Sequence, residues 1–209
     1  FFIAEGCKYT KNKFRHFAMI FSAGVICEIF IVLFTRQFIG NIFLTFSVSI
    51  ALIYLLEVVK QRIFDKKIFD AVLGVIAFIS AVLALNFAFT ITIDNELLML
   101  PQKFTLDYGL YGILAPVAIS LFDFSRIENA PSAIKKLDCL PVKILLLSLA
   151  LLPLALSQPY GFRHIQFLQY LAIPLLLLYN GKKGFNIKYF FYLFYPLHMV
   201  VLYGIDMFL

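Results

Sequence analysis

The chain has 209 residues, of which 62% are hydrophobic and 14% are charged, and its net charge is +6. Soluble domains carry about 25% charged residues. This composition therefore excludes a soluble globular protein and indicates a chain that lies in a lipid bilayer. In a soluble protein the positive charge would suggest nucleic-acid binding, but here we expect it to mark cytoplasmic loops and predict no nucleic-acid partner.

The first residues are apolar and run directly into a basic segment. They include neither an initial methionine nor the pattern of a secretory signal peptide. We therefore expect them to be the tail of a membrane span whose beginning is missing, so that the sequence is truncated at its N-terminus.

Seven continuous apolar runs follow, and a helix needs about 20 such residues to cross the hydrocarbon core. Because polar and apolar residues do not alternate in these runs, they predict helices and not barrel strands. The predicted spans are residues 14–34, 38–59, 68–89, 105–122, 139–157, 166–179 and 188–209. The expected fold is an all-α, polytopic transmembrane bundle that forms one domain over residues 1–209.

Lysine and arginine are concentrated in every second loop between these spans. The basic loops are residues 8–16, 60–67, 123–138 and 180–188, whereas each loop between them holds a single cation. Cytoplasmic loops of membrane proteins carry an excess of Lys and Arg. The alternation therefore predicts that the four basic loops are cytoplasmic. The longest outer segment, residues 90–104, is apolar for a loop, and we expect it to lie on the membrane or to re-enter it.

His198 lies ten residues into the last predicted span, which places it about 15 Å deep, near the bilayer midplane. Tyr192, Tyr195 and His198 share one helix face, and Pro196 predicts a kink beside them. A neutral imidazole in such a polar break can act as a general base. A histidine that hydrogen-bonds a neighbouring helix fits the pattern equally well.

Three acidic residues in or near the other spans also have to be assigned a functional or a structural role. Glu28 lies well inside the first full span without a local cation, which favours a buried pairing or a catalytic role. Asp107 opens the fourth span, where capping by Thr105 would leave it in a first helical turn that favours a negative charge. Glu57 precedes Lys60 by three residues, which predicts an interfacial ion pair.

The basic segment that begins at Asn180 has two interpretations. Lys182 and Lys183 lie between Gly181 and Gly184, and glycines let a backbone approach a ligand closely. These lysines could hold the phosphates of a nucleotide-like donor, or they could serve membrane topology alone. No P-loop, HExxH motif or paired-cysteine motif is present, and we predict no metal site. The three cysteines are expected to be small packing residues.

Residues 179–184, followed by residues 188–198, resemble the C-terminal signature of the TraX family. Shorter segments resemble other family motifs in the same order: residues 4–6 with 9–10 are similar to the exit of its second span, residues 27–29 to an acidic position in the next span, and residues 107–112 to its central motif. The resemblance thus extends over nearly the whole chain.

TraX was named for the conjugation protein that N-acetylates F-type pilin. The resemblance implies an acetyltransferase of the bacterial cytoplasmic membrane that uses acetyl-CoA as co-substrate and modifies a pilin-like protein or a cell-surface molecule. It implies catalytic roles for His198, Asp107, Glu28 and Tyr195. It also implies donor contacts from Asn180, Lys182 and Lys183.

One feature of the family is not found in this sequence. The first span of the family typically carries an Asp-His pair, so a catalytic histidine could lie in the missing segment, with His198 supporting it. Two other functions also fit the residues: a proton-coupled transporter or flippase, and a non-enzymatic partner of a conjugation or secretion complex.

Overall fold

The structure is a computed structural model that describes residues 1–93, 102–156 and 165–181, together with Phe190, Phe194, Leu197, His198, Val201 and Ile205. Three of the predicted site residues, Tyr195, Lys182 and Lys183, lie outside the described residues. The chain divides into two compact units, Phe1–Leu178 and Tyr179–Leu209.

In its described residues the first unit is helical, apart from one very short strand pair. Its three long helices are α2 (Lys13–Thr35), α3 (Ile42–Phe64) and α4 (Ile68–Ala88), and each is long and apolar enough to cross a membrane. The shorter helical elements are α1 (Phe2–Tyr9), α5 (Gly109–Ser120), α6 (Ser132–Lys135), α7 (Leu140–Leu156), a 3₁₀ helix (Ile165–Leu171) and α8 (Ala172–Leu177). The prediction of an all-α membrane bundle is confirmed.

The bounds of α2 and α4 agree with the predicted spans, whereas α3 is displaced toward its C-terminus. The side chain of Asn41 accepts hydrogen bonds from Phe43 N and Leu44 N and so begins the helix four residues later than predicted. At the other end α3 continues through Lys60 and Arg62 to Phe64. Charged residues of this kind are good helix formers, so a hydropathy pattern marks the edge of the membrane and not the end of the helix.

α3 is the central helix of the first unit and contacts α1, α2, α4 and α5. Its N-terminal half buries Thr45, Ser47 and Ser49 almost completely. Ser49 Oγ donates to the carbonyl of Ile113 on α5 at 2.9 Å. Small polar residues let helices approach closely and bond across the interface in a membrane. This half of α3 therefore holds α5 in a fixed register.

The loops of the first unit collect at two opposite ends. Contacts join Lys8 to Asp138 and Asn129 to Asp65, so the three basic loops 8–16, 60–67 and 123–138 meet at one end, here called the basic end. At the other end, here called the far end, the ring of Phe104 stacks on Phe38 at 5.4 Å. Consecutive long helices thus run between the same two ends, as the charge alternation predicts.

The far end differs from the prediction in two ways. Within residues 90–104, Thr92–Ile93 pairs antiparallel with Gln102–Lys103, which adds a short strand pair that the apolar pattern does not signal. α5 begins only at Gly109, and its N-cap residue Tyr108 has a left-handed backbone with no side-chain cap. Thr105 therefore does not cap α5, and Asp107 lies before the helix instead of in its first turn.

Candidate functional site

Glu28 is a buried carboxylate at the far end, 6% exposed, and it is surrounded by N–H donors. Oε1 accepts hydrogen bonds from the backbone N–H groups of Ile39 and Gly40, at 2.9 and 3.0 Å. Oε2 accepts from the backbone of Asn41 at 3.0 Å and from its side-chain amide at 2.8 Å. Four donors therefore satisfy the charge that the sequence left without a cation, and Glu28 anchors the loop between α2 and α3.

Asp107 lies beside that loop. Its backbone N–H donates to Gly40 O at 2.8 Å, and its carbonyl accepts from Thr45 Oγ1 at 3.2 Å. The half-buried carboxylate lies close enough to Glu28 for the two charges to interact. Within the described part of the chain, no hydrogen bond or ion pair reaches the Asp107 carboxylate. The structure thus brings two predicted site residues together and leaves one carboxylate unpaired.

His198 and Asn180 belong to the second unit. His198 Nδ1 lies 3.1 Å from the carbonyl of Phe194, and its ring stacks on the Phe194 ring at a centroid distance of 5.2 Å. Because a carbonyl only accepts, Nδ1 carries the proton in the neutral ring and Nε2 is the basic nitrogen. Asn180 is exposed and is followed by Gly181, whose backbone is left-handed at φ 69°.

A small, open pocket lies at the basic end, where α1, the C-terminal half of α3, the end of α5 and the segment after it meet. It is called the basic-end pocket. Three cations, two carboxylates and several small or apolar residues line it: Ala4, Cys7, Lys8, Ile53, Glu57, Lys60, Ser120, Asp123, Arg126 and Ile127. These residues come from distant segments of the chain. The sequence analysis therefore missed the pocket, although its charged residues belong to the predicted basic loops and their borders.

Most charged groups of the pocket are bound within the protein. Lys60 Nζ donates to the carbonyls of Ser120 and Asp123, at 2.5 and 3.1 Å, where α5 ends and leaves carbonyls without helical partners. Glu57 pairs with Lys13 at 2.9 Å. The predicted ion pair between Glu57 and Lys60 is therefore wrong, because tertiary contacts give each residue a better partner than its neighbour on the helix.

A hydrogen bond between two side chains lies near the basic-end pocket. The Tyr54 hydroxyl lies 2.9 Å from Nδ1 of His16. Cys7, which lines the pocket, is only 2% exposed, as a packing residue would be. No signal in the sequence joins His16 to Tyr54, because the contact depends on α2 packing against α3.

Four charged residues form a chain of three ion pairs beside the pocket. Lys143 on α7 pairs with Glu5 of α1 and with Asp138, and Lys8 also pairs with Asp138. Burial by itself would raise the pKa of the Asp138 carboxyl, but hydrogen bonds from Lys143 and Lys8 outweigh it and hold that pKa below its ordinary value. The network contains equal numbers of positive and negative charges, and it fastens α1 to α7.

No group of three His, Cys, Asp or Glu residues in the described ranges converges as a metal site requires. In the comparisons with known proteins, the family model described as TraX protein matches residues 1–206 of the chain. No curated protein and no solved structure matches it.

Proposed function

The chain belongs to the TraX family, and from this we propose that it is an integral membrane acetyltransferase. It would move an acetyl group from acetyl-CoA to an amine or hydroxyl, such as a pilin N-terminus or a cell-surface molecule. Its place would be the bacterial cytoplasmic membrane, which it crosses several times. The lipid bilayer, acetyl-CoA and the acceptor would be its partners, with no nucleic acid and no metal.

The basic-end pocket is the observation that carries this proposal. Charged groups are costly in a membrane bundle unless they are solvated or paired, and the structure describes no partner for Arg126, one of the three cations of the pocket. A pocket at the end where the basic loops meet suits a soluble, anionic donor that arrives from the cytoplasm. Acetyl-CoA is a donor of this kind.

The proposed chemistry assigns the base to His198. Nε2 takes the proton of the acceptor amine or hydroxyl, whose lone pair attacks the thioester carbonyl of acetyl-CoA. A new bond forms between the acceptor and the acetyl carbon, the carbon–sulfur bond breaks, and the departing CoA thiolate takes from His198 the proton that the acceptor lost. Tyr195 would donate to the oxyanion that develops on the carbonyl.

The other predicted residues have supporting roles in this proposal. Asp107 has a carboxylate that no described group binds, and we assign it a supporting role as a charged group. Glu28 would act indirectly, because its hydrogen bonds to Gly40 and Asn41 hold the loop on which Asp107 rests. Asn180, Lys182 and Lys183 would contact the donor.

A proton-coupled transporter or flippase is the second candidate function. The adjacent carboxylates of Glu28 and Asp107 favour it, because carboxylates within a membrane bundle often bind and release transported protons. Substrate uptake by proteoliposomes without acetyl-CoA would support the transporter. A scaffold of a conjugation or secretion complex would show neither uptake nor acetyl-CoA binding.

Acetyl-CoA binding tests the proposed function most directly. Isothermal calorimetry would be performed on the 209-residue chain in detergent and on any longer natural form, followed by transfer of radiolabelled acetyl groups to protein and cell-envelope acceptors. We expect binding of acetyl-CoA and labelled product. Absence of both from every form would overturn the acetyltransferase and leave the transporter or the scaffold.

A further inference from the structure

Arg126 differs from the other two cations of the basic-end pocket. Lys8 pairs with Asp138, and Lys60 donates to two carbonyls at the end of α5. In contrast, the half-buried guanidinium of Arg126 makes no hydrogen bond or ion pair with any residue that the structure describes. A guanidinium has five N–H donors in a fork that fits phosphate, and removing it partly from water without a partner is unfavourable.

The carboxylates of the pocket do not compete for this guanidinium. Glu57 is paired with Lys13 at 2.9 Å. Asp123 Oδ1 accepts hydrogen bonds from the backbone N–H and the hydroxyl of Ser125, at 3.1 and 2.6 Å. These bonds stabilise the loop that contains both residues. Three cations and two carboxylates thus line the pocket, and Arg126 is the cation for which the structure describes no partner.

The other residues that line the pocket are small or apolar. Ala4, Ile53 and Ile127 supply small or apolar surface on the same segments that carry the charged groups. Arg126 lines the pocket together with the buried Cys7. A ligand with an anionic part and an adjoining uncharged arm would match this combination of groups.

We propose that the basic-end pocket is a phosphate-binding subsite and that Arg126 is its anchoring residue. This inference rests on the proposed function for its ligand, the phosphate-bearing part of acetyl-CoA. The pocket is small and open, so it suits a single phosphate group of the donor and not the whole molecule. The uncharged arm that carries the acetyl group would leave the pocket along its apolar wall.

The test compares Arg126→Gln with Lys136→Gln, in nanodiscs of neutral lipid. Lys136 lies in the same basic loop, is exposed and makes no described side-chain contact, so its replacement removes the same charge from the same end. Calorimetry would measure acetyl-CoA, inorganic pyrophosphate and S-acetyl-pantetheine, which lacks phosphate. Loss of a charged hydrogen-bond donor predicts roughly ten- to hundredfold weaker acetyl-CoA binding in Arg126→Gln, and little change in Lys136→Gln.

Two further binding measurements test whether the effect depends on the guanidinium and on the phosphate. Arg126→Lys keeps the charge but loses the fork and should bind acetyl-CoA with intermediate affinity. Binding of S-acetyl-pantetheine should be the same in wild type and Arg126→Gln. The unfolding temperatures of the variants should also agree, since Arg126 supports no described contact. If Arg126→Gln and Lys136→Gln weakened acetyl-CoA binding equally, the effect would come from net charge alone. That result would overturn the subsite.

The outcomes separate this inference from the proposed function. Wild-type-like acetyl-CoA binding in Arg126→Gln would overturn the subsite and leave the acetyltransferase intact. If the wild type bound pyrophosphate but not acetyl-CoA, and Arg126→Gln lost the pyrophosphate, the phosphate subsite would be supported while the acetyltransferase failed. Displacement of pyrophosphate by phosphatidylglycerol in the nanodisc would assign the site to a lipid headgroup and overturn its assignment to the donor.

Discussion

The side-chain amide of Asn41 donates a 2.8 Å hydrogen bond to Oε2 of Glu28, while the carbonyl oxygen of the same amide caps the N-terminus of α3. One side chain thereby links the inside of α2 to the start of the next helix. The backbone of the loop between them adds three more donors to Glu28. The position of α3, on which the rest of the first unit packs, therefore depends on this carboxylate.

Replacing Glu28 with alanine should destabilise the protein by about 3 to 5 kcal/mol, because four buried N–H donors lose their acceptor. Glu28→Gln should cost less, since its amide keeps one acceptor oxygen. Thermal unfolding in detergent would measure both variants. Asp70→Ala is the control, because the Arg62–Asp70 pair is largely exposed and should contribute less than about 1 kcal/mol. Equal destabilisation by Glu28→Ala and Asp70→Ala would contradict the anchoring role.

Two glycines with left-handed backbones provide a matched test of the far end. At Gly40, φ is 67° and an added Cβ would lie 1.9 Å from the carbonyl oxygen of Thr105. At Gly109, φ is 54° but an added Cβ would meet nothing within 4 Å. Gly109→Ala should therefore cost only the backbone strain, about 1 to 2 kcal/mol. Gly40→Ala should cost at least about 2 kcal/mol more, because the two loops must separate.

Equilibrium unfolding of the two glycine variants in the same detergent measures this difference. Similar stabilities would mean that the contact between the loop at Gly40 and the segment at Thr105 does not form. The unchanged helical circular dichroism of Gly109→Ala would confirm that strain alone is tolerated.

The ion network predicts a dependence of stability on acid pH. The folded-state pKa of Asp138 lies below its ordinary value of 3.8, so below that value the unfolded chain binds more protons than the folded one. The stability that Asp138 contributes should be fully present above its ordinary pKa. It should be lost as the pH falls through the depressed pKa of the folded state.

Unfolding measured between pH 7 and pH 3 would reveal this loss. Asp138→Asn should be less stable than wild type at pH 7, because Lys8 and Lys143 each lose an anionic partner. Its stability should also fall less steeply toward acid pH. Parallel curves for the two proteins would exclude Asp138 as the titrating group, even if the substitution lowered stability throughout.

The assignment of the base predicts that His198→Ala lowers kcat/KM for acetyl transfer by about a hundredfold or more. Affinity for acetyl-CoA should hardly change, because the histidine acts on the acceptor proton. His16→Ala is the comparison, since His16 hydrogen-bonds Tyr54 at the basic end. Transfer assays with calorimetry on the same preparations would separate rate from binding. If His16→Ala lost more of the transfer rate than His198→Ala, the general base would be assigned to His16 instead.

Local patterns in the sequence determined the class of the fold. Apolar runs of about 20 residues identify membrane helices because the bilayer has a fixed thickness, and the bounds of α2 and α4 agree with them. The alternation of Lys and Arg correctly separated the loops at the two ends of the first unit, because each loop carries its own excess or lack of these residues. The polar residues Glu28 and Asp107 stood out for the same reason: a carboxylate in an apolar run is unusual wherever it is folded.

Only the tertiary structure decided what these side chains contact. Glu5 and Lys143 are 138 positions apart, and Lys60 binds carbonyls 60 and 63 positions away, so no helical spacing predicts either contact. Three of the four donors to Glu28 are backbone N–H groups, which every sequence contains and which no sequence pattern identifies. The basic-end pocket could not be predicted for the same reason, because its walls come from distant segments that meet only when α1 and α5 pack against α3.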